Sequence, residues 1–366
     1  LRNISAVTQT SWGCRLRLSE KCFKRYVKMK RLAIDFGSST TKIYMTGCGV
    51  VLMEATCAAV EEYVENGENK LNIKALGDKA RALSGRAALN THIVNPVFEG
   101  DILNETIAAH LLQYFLEKCE ITRRKAKHTE VMFIIPCGSG DGLKEKYRRI
   151  ADECGIAMTY FTLTPFAAVL GHNVAISEST PVFCLDIGYG ITNIAAFSQD
   201  GLIAGINVNL GGGNIDVHLI DVLAENYDLK IGALTAEKLK NTVGSLLEDD
   251  NKLMVADGRE VSGGTPASFA VNSSHLYDII VTYVDKILEY VNVVMGKLPA
   301  EVASGVVHGG VFLSGGLIKM DGIAEYIERK LKIPVNLPDE PQLAAVIGAG
   351  VILSNDSLFD RIAVTD

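Results

Sequence analysis

The sequence lacks the short motifs that would assign its chemistry directly. It contains no Walker phosphate loop, no HExxH zinc motif and no GxSxG nucleophile turn, so P-loop enzymes, zinc proteases and α/β-hydrolases lose their best support. No apolar run approaches the roughly 20 residues needed to span a bilayer, and no signal-peptide pattern is present. We therefore expect a soluble, cytoplasmic protein.

Paired cysteines and an excess of basic charge are also missing. The eight cysteines form no CxxC pair, and several lie in apolar runs such as residues 182–185. This pattern is typical of reduced cytosolic thiols rather than of disulfides or metal ligands. The formal net charge is −7. We expect no direct nucleic-acid partner, because proteins that bind nucleic acid use a general positive field.

What is present is ample material for a large core: 366 residues, 48% of them hydrophobic. From residue 29 onward, β-branched runs alternate with amphipathic helical patterns, which indicates an α/β protein with covered sheets. Hydrophobic spacing predicts a buried strand at residues 131–135. It predicts helices at residues 101–120, 143–154, 235–247, 275–298, 321–331 and 343–353.

Two segments, residues 32–44 and 182–197, repeat one plan: an apolar strand, an Asp-x-Gly turn, hydroxyl residues and a second apolar strand. Such a duplication predicts two related lobes that face each other across a cleft. We place lobe I at residues 29–175, with a small insertion at about 59–91. Lobe II covers residues 176–338, with an insertion at about 212–271. A helix that returns to lobe I and a tail occupy residues 339–366.

The first 28 residues form a basic leader before Met29, which resembles a natural start. We expect this leader to be disordered or not native. The alternative is a membrane-surface helix, because Leu18, Cys22, Phe23 and Tyr26 recur at helical spacing.

Glycine-rich turns carry the chemistry. Consecutive backbone N–H groups in a tight turn bind anions, and glycine lets the backbone approach phosphate oxygens closely. Asp35 and Asp186 stand at the ends of apolar strands. Carboxylates facing each other beside phosphates need a cation, so the pair predicts Mg²⁺ held mostly through waters. A third turn, residues 314–316, follows another strand. Any one of the Asp-x-Gly turns alone could equally be an ordinary hairpin.

The order of these three turns resembles the phosphate-one, phosphate-two and adenosine motifs of the actin, heat-shock chaperone and sugar-kinase superfamily. Residues 49–54, 95–100, 165–171 and 232–240 further resemble the bacterial actin MreB family, and the likeness runs from residue 29 to about 353. The chain is identified as a diverged member of that family. The resemblance implies an α/β, actin-like duplicated two-lobe fold with a nucleotide in the central cleft.

The same resemblance implies the site residues. It assigns Mg²⁺ to Asp35 and Asp186, makes Asp186 the candidate catalytic residue, and places Glu237 near the ribose and Lys240 near the base. An exposed i, i+3 ion pair between Glu237 and Lys240 is the alternative. Lys42 resembles the phosphate-contacting lysine of actin and of the plasmid-segregation actin ParM. The implied ATP contacts are Gly37, Ser38, Ser39, Thr40, Lys42, Gly188, Tyr189, Gly190, Ile191, Thr192, Gly211, Gly212, Gly213, Glu237, Lys240, Gly315, Gly316 and Leu317.

Three departures from the family pattern bear on catalysis. Residues 161–165 carry no carboxylate where MreB has a water-positioning glutamate, so we expect ATP hydrolysis to be slow or lost. Thr162 and Thr164 are poor substitutes for that glutamate. Tyr189 replaces a family glycine, and the adenosine loop is one glycine short.

The resemblance implies an ATP-binding cytoskeletal protein that forms nucleotide-dependent, head-to-tail filaments and acts in bacterial cell-shape maintenance. Its implied partners are other copies of itself, the inner face of the cell membrane as a peripheral contact, and cell-wall synthesis or membrane proteins. The alternatives are a nonpolymerising nucleotide-binding scaffold, a kinase-type or chaperone-type ATPase of the same fold, and a plasmid-segregation actin.

Overall fold

The computed structural model describes residues 30–65, 68–173, 181–198, 201–247 and 249–363. The basic leader predicted at residues 1–28 lies outside the described residues. The strands are β1 (Lys30–Phe36), β2 (Thr40–Met45), β3 (Gly49–Ala55), β4 (Ala58–Glu65), β5 (Glu68–Leu76), β6 (Thr91–Val94), β7 (Val97–Phe98), β8 (Asp101–Ile102), β9 (Thr129–Ile135), β10 (Met158–Leu163), β11 (Val182–Ile187), β12 (Thr192–Ser198), β13 (Gly201–Val208), β14 (Leu229–Lys230), β15 (Leu253–Glu260), β16 (Pro266–Asn272), β17 (Val311–Ser314) and β18 (Val335–Asn336).

Helices cover these sheets and connect the strands. They are α1 (Asp78–Arg81), α2 (Glu105–Lys118), α3 (Arg123–Ala126), α4 (Asp141–Glu153), α5 (Thr164–Gly171), α6 (Gly212–Tyr227), α7 (Ala233–Val243), α8 (Ser273–Met295), α9 (Ala300–Gly309), α10 (Ile323–Leu331), α11 (Ala344–Ser354) and α12 (Asp356–Ile362), with a 3₁₀ turn at Gly316–Lys319. Among the described residues, no helix has the length and apolar character needed to cross a membrane.

The two large sheets have the same topology. One has the order β10-β9-β1-β2-β3 and the other β18-β17-β11-β12-β13. In each, an antiparallel three-stranded meander opens the sheet, and a later strand pairs in parallel with the first strand of the meander. The chain therefore uses one strand plan twice, and the Asp-x-Gly turns occupy equivalent places in the two sheets.

Smaller sheets extend each half. Strands β5-β4-β6 follow the first meander, and β14-β15-β16 follow the second. Helix α1 packs on the first small sheet, while α7 packs on the second. These additions stand near the predicted insertions at 59–91 and 212–271.

A central core joins the two large sheets. Buried residues from both sheets contact α5 and α11, among them Met132 and Phe197. The helices approach so closely that a β-carbon at Gly348 would lie 1.7 Å from the Ala167 carbonyl oxygen. Glycine is required there because any side chain would collide with the facing backbone.

One predicted helix begins later than expected. The pattern at residues 101–120 predicted a continuous helix, but α2 begins at Glu105. The side chain of Asn104 accepts a hydrogen bond from the Ile107 N–H at 3.0 Å and caps the helix. Asp101 and Ile102 form a short strand with Val97 and Phe98 instead. The capping residue therefore outweighed the apolar spacing at the helix start.

Candidate functional site

A cavity of about 600 Å³ lies between the two large sheets, and all three glycine-rich turns line it. Its size suits a small-molecule ligand. The turns reach the same cavity because each follows the carboxyl end of a central strand, β1, β11 or β17. The candidate site is therefore an interlobe cleft assembled from turns that are far apart in sequence.

The first turn joins β1 to β2. Asp35 and Lys42 are register partners across this hairpin, and Lys42 Nζ lies 2.7 Å from Asp35 Oδ2. A β-carbon at Gly37 would lie 2.9 Å from the Thr40 carbonyl oxygen, so the tight turn favours glycine. The turn thus carries a carboxylate, a cation and exposed backbone at one edge of the cleft.

The second turn holds a buried carboxylate. Asp186 Oδ1 accepts a hydrogen bond from Ser314 Oγ at 2.7 Å, and Oδ2 accepts one from Asn193 Nδ2 at 3.3 Å. Burial raises the pKa of Asp186, and the negative charge of Asp35 raises it further, while the bonds from Ser314 and Asn193 act in the opposite direction. A cation between the two aspartates would relieve both burial and repulsion.

The third turn is built on an obligatory glycine. Gly315 has φ +95, and a β-carbon there would lie 2.2 Å from the Ile187 carbonyl oxygen. This close approach brings Gly316 and Leu317 into the cleft beside the second turn. The loop thus forms a wall of the cavity despite its shortened glycine run.

Two asparagines join the lobes at the base of the cleft. Asn193 and Asn207 are partners on β12 and β13. Asn193 Oδ1 accepts from the Cys137 N–H at 3.0 Å, and Asn207 Nδ2 donates to the Cys137 carbonyl at 2.6 Å. A β-carbon at Gly205 would lie 2.6 Å from Cys137 Sγ, so glycine permits this approach. The backbone of one residue of the first half, Cys137, is therefore held by both strands of the second half.

Glu237 and Lys240 do not form the exposed i, i+3 pair considered as an alternative. Lys240 is buried, and its Nζ lies 2.8 Å from both Asp216 Oδ2 and the Gly212 carbonyl oxygen. Burial raises the pKa of Asp216 to about 6, although the Lys240 charge lowers it. That alternative is wrong, because Lys240 anchors α7 to the start of α6 instead.

Tyr189 packs against this anchor. A β-carbon at Gly213 would lie 3.0 Å from the Tyr189 ring, and Lys240 Nζ lies 5.3 Å from the ring centroid. Burial raises the pKa of the phenol to about 12. The side chain lies against α6 and α7 and also lines the cavity, so an aromatic ring forms part of the cavity wall beside the second turn.

Arg81 and Glu237 form an ion pair across the mouth of the cleft. Arg81 Nη2 of α1 donates to Glu237 Oε2 of α7, although the residues are 156 positions apart. Both side chains line the cavity. Arg81 was not predicted as a site residue, because nothing in the local pattern of a basic residue on a short helix distinguishes it from a solvent-exposed arginine.

Most of the predicted ATP contacts line the cavity, but three do not. Thr192 Oγ1 donates to the Leu210 carbonyl at 2.7 Å, the Gly211 N–H donates to Asn214 Oδ1 at 2.8 Å, and Gly213 lies under Tyr189. These residues hold the second turn against α6. The predicted residues that line the cavity are Asp35, Gly37, Ser38, Ser39, Thr40, Lys42, Asp186, Gly188, Tyr189, Gly190, Ile191, Gly212, Glu237, Lys240, Gly315, Gly316 and Leu317.

Residues 161–165, which lack the water-positioning glutamate of MreB, place a threonine at the cavity. Thr164 lines the cavity, and its Oγ1 donates to the Ile135 carbonyl at 3.0 Å. Thr162 is buried in β10 and is not among the cavity residues. Thr164 is thus the residue of this segment that faces the ligand space, and its hydroxyl hydrogen is already engaged.

Asn193 also lines the cavity, although it was not predicted as a site residue. It lies opposite Asp186 in the β11–β12 hairpin, just as Lys42 lies opposite Asp35. Aligning the two hairpins by register would have found it.

Comparisons with known proteins place the chain among bacterial actins. A family model described as MreB/Mbl protein matches residues 29–361. The cell shape-determining protein MreB of Escherichia coli (strain K12) is 27% identical over 88% of this chain and 92% of that protein. Mbl of Bacillus subtilis (strain 168) is 25% identical over 88% of this chain and 96% of that protein.

Solved structures share the fold. MreB5 of Spiroplasma citri bound to AMPPNP superimposes with a TM-score of 0.84 and 22% identity, over 92% of this chain and 98% of that chain. A MamK double helical filament superimposes with a TM-score of 0.70 and 17% identity, over 89% of this chain and 99% of that chain. The fold is therefore actin-like.

Proposed function

Since the chain belongs to the MreB/Mbl family, we propose that it is a nucleotide-binding cytoskeletal protein that assembles with copies of itself into filaments and acts in maintaining cell shape. The observation that carries the proposal is the convergence of three glycine-rich turns on one interlobe cavity. Relatives that share the family are cell shape-determining proteins, which supports an MreB-like cytoskeletal role.

We infer that the ligand is ATP with Mg²⁺. Spiroplasma MreB5 binds AMPPNP and ADP, and the cleft of this chain offers turn backbone and Lys42 for phosphates. Asp35 and Asp186 fit a magnesium ion. Asp186 is buried, and the negative charge of Asp35 is close enough to raise its pKa further, so a cation between the two carboxylates would be stabilising. Mg²⁺ supplies charge neutralisation there and keeps several of its waters.

Filament formation is proposed to depend on the nucleotide. A ligand that contacts turns from both lobes favours the arrangement in which these turns face each other. Subunits that repeat one head-to-tail contact form an open filament when the rotation does not close a ring. The MamK filament is built on the same fold. Contacts with the inner face of the membrane and with cell-wall synthesis proteins belong to this proposal through the family alone.

The test is pelleting of the purified chain with Mg-ATP, with Mg-ADP and without nucleotide, with phosphate release followed in the same tubes. We expect nucleotide-dependent pelleting that Asp186→Ala and Lys42→Met lose and that Asp221→Ala, on the exposed face of α6, keeps. Circular dichroism checks that each variant is folded. The proposal would be contradicted if the chain pelleted equally with and without nucleotide and if both site variants pelleted as the unmodified chain does.

A second candidate is a nonpolymerising scaffold that binds nucleotide without turnover, and the engaged Thr164 hydroxyl favours it. A water aligned for attack on the γ-phosphate needs a hydrogen-bond acceptor, and threonine supplies a weak one. We expect Thr164→Glu to raise phosphate release by about 100-fold, the lower end of the usual range of general-base contributions. Bound ATP without pelleting in any condition would favour the scaffold.

A further inference from the structure

The two walls of the cleft mouth are each anchored to their own lobe. On one side, Asp78 Oδ1 accepts from the Ala55 N–H at 3.0 Å, and the Asp78 N–H donates to Glu54 Oε1 at 3.2 Å, which fixes α1 to the end of β3. On the other side, Lys240 fixes α7 to Asp216 and to the Gly212 carbonyl. The two helices are therefore firm supports for any contact between them.

The Arg81–Glu237 ion pair is the contact that bridges these supports. The side chain of Arg81 is 34% exposed and that of Glu237 is 17% exposed, so the pair is partly shielded from water and salt. It lies over the cavity and not on an open surface, because both residues line the cavity wall. A ligand held in the cavity would therefore lie beside both side chains.

Resting on the nucleotide-binding function proposed above, we propose that Arg81 is a positioning residue that holds Glu237 over the cleft, and that the pair retains a bound nucleotide by closing the mouth. Arg81 engages Glu237 Oε2, which leaves Oε1 to accept a ribose hydroxyl. The bound nucleotide and the arginine then use different oxygens of one carboxylate. Nucleotide release requires the ion pair to separate first.

The pair is expected to act on kinetics more than on stability. Partly exposed ion pairs contribute little to the free energy of folding, so a variant without the pair should fold normally. Opening of the mouth, however, is the step that the pair opposes. Loss of the pair should therefore accelerate nucleotide dissociation by about fivefold, the factor that corresponds to about 1 kcal/mol.

The decisive experiment measures dissociation of a fluorescent ADP analogue by stopped flow, with excess unlabelled ADP as the chase. Arg81→Glu should release the analogue about fivefold faster than the unmodified chain. The matched control is Lys79→Glu, which makes the same charge change on the same helix at an exposed position. Equal rates for Arg81→Glu and Lys79→Glu would overturn the proposal, because the effect would then be one of general charge.

Charge exchange separates pairing from the loss of either side chain. Glu237→Arg alone should also release nucleotide faster, since it loses the ion pair and the ribose acceptor together. The double variant Arg81→Glu/Glu237→Arg restores an ion pair in the reverse sense and should recover the part of the slow dissociation that the ion pair supplies, but not the part that the ribose contact of Glu237 supplies. Additive effects of the two substitutions would show that the residues act independently and would contradict the pairing.

A nucleotide-free measurement keeps this inference apart from the function on which it rests. Hydrogen–deuterium exchange at α1 should speed up in Glu237→Arg and return toward the original rate in the double variant, with no ligand present. If the unmodified chain binds no nucleotide, the proposed function fails while exchange still reports on the closed mouth. Unchanged exchange at α1 in Glu237→Arg would refute closure itself.

Discussion

The two Asp-x-Gly turns are copies of one hairpin with different chemistry opposite the aspartate. In the first, Asp35 faces Lys42 across the β1–β2 ladder, and the two form an ion pair. In the second, Asp186 faces Asn193 across the β11–β12 ladder and receives hydrogen bonds from Asn193 and Ser314, both neutral. The duplicated backbone thus holds one aspartate beside a cation and the other beside an amide.

This difference indicates a division of roles between the lobes. Asp35 has the Lys42 cation beside it, and we propose that Lys42 turns toward the phosphate oxygens of a bound nucleotide. Asp186 is buried with its charge less well compensated, and its pKa is raised. Its partner Asn193 also binds the Cys137 N–H. The first turn is therefore suited to binding phosphate, because it carries a cation. In the second turn, the carboxylate that would bind a cation shares Asn193 with the contact between the lobes.

The largest effect is expected from removal of the amide in the second turn. Asn193→Ala removes both its bonds and leaves the buried Cys137 N–H without that partner, at a cost of about 1–3 kcal/mol in the free energy of unfolding. Chemical denaturation measures it. Asn209→Ala, which loses only an exposed contact to Glu99, should cost less than about 0.5 kcal/mol. Similar losses in the free energy of unfolding for the two variants would show that the buried contact between Asn193 and Cys137 does not stabilise the fold.

A substitution in the first turn is expected to change the free energy of unfolding less than Asn193→Ala does, but to weaken nucleotide binding clearly. Lys42→Met makes this turn resemble the second, with an aspartate that lacks its cation. We expect ATP affinity to fall about tenfold or more, because a bond from a charged donor contributes about 1.5–3 kcal/mol. Isothermal titration tests this against Lys146→Met, which loses a surface pair with Asp101 far along the chain. Unchanged affinity would remove Lys42 from the phosphate site.

The smallest effect concerns the pH dependence of the nucleotide-free protein. The folded pKa of Asp186 is raised above 3.8, so the folded state binds this proton more tightly than the unfolded state. Stability from this group is present below the ordinary carboxyl pKa and is lost as pH rises through the folded value. Asp186→Asn avoids that loss.

We therefore expect Asp186→Asn to melt about 1–3 °C higher than the unmodified chain at neutral pH, with a smaller advantage at about pH 4. The same variant should lose Mg-ATP binding. Differential scanning calorimetry across the pH range checks the first point. An advantage that grows toward acid pH would show that the carboxylate is stabilised, not strained, by its surroundings.

Local signals were enough to predict much of the site. An apolar strand, a terminal aspartate and a glycine turn lie within a dozen residues, and their spacing alone predicted the turns at 35–38, 186–192 and 314–316. The duplicated lobe plan followed from comparing two such segments. Six helices followed from periodicity, although the Asn104 cap moved the start of α2 to Glu105. Helices α6 and α9 were not predicted.

The amino-acid sequence by itself thus determined the two-lobed α/β plan, the glycine turns and the absence of a carboxylate in residues 161–165. Only the tertiary structure decided which side chains meet: Arg81 with Glu237, Lys240 with Asp216, and Asn193 with Cys137. The physical reason is distance along the chain. Turns and helices depend on neighbouring residues, whereas these contacts join segments 24 to 156 positions apart whose meeting depends on how whole lobes pack.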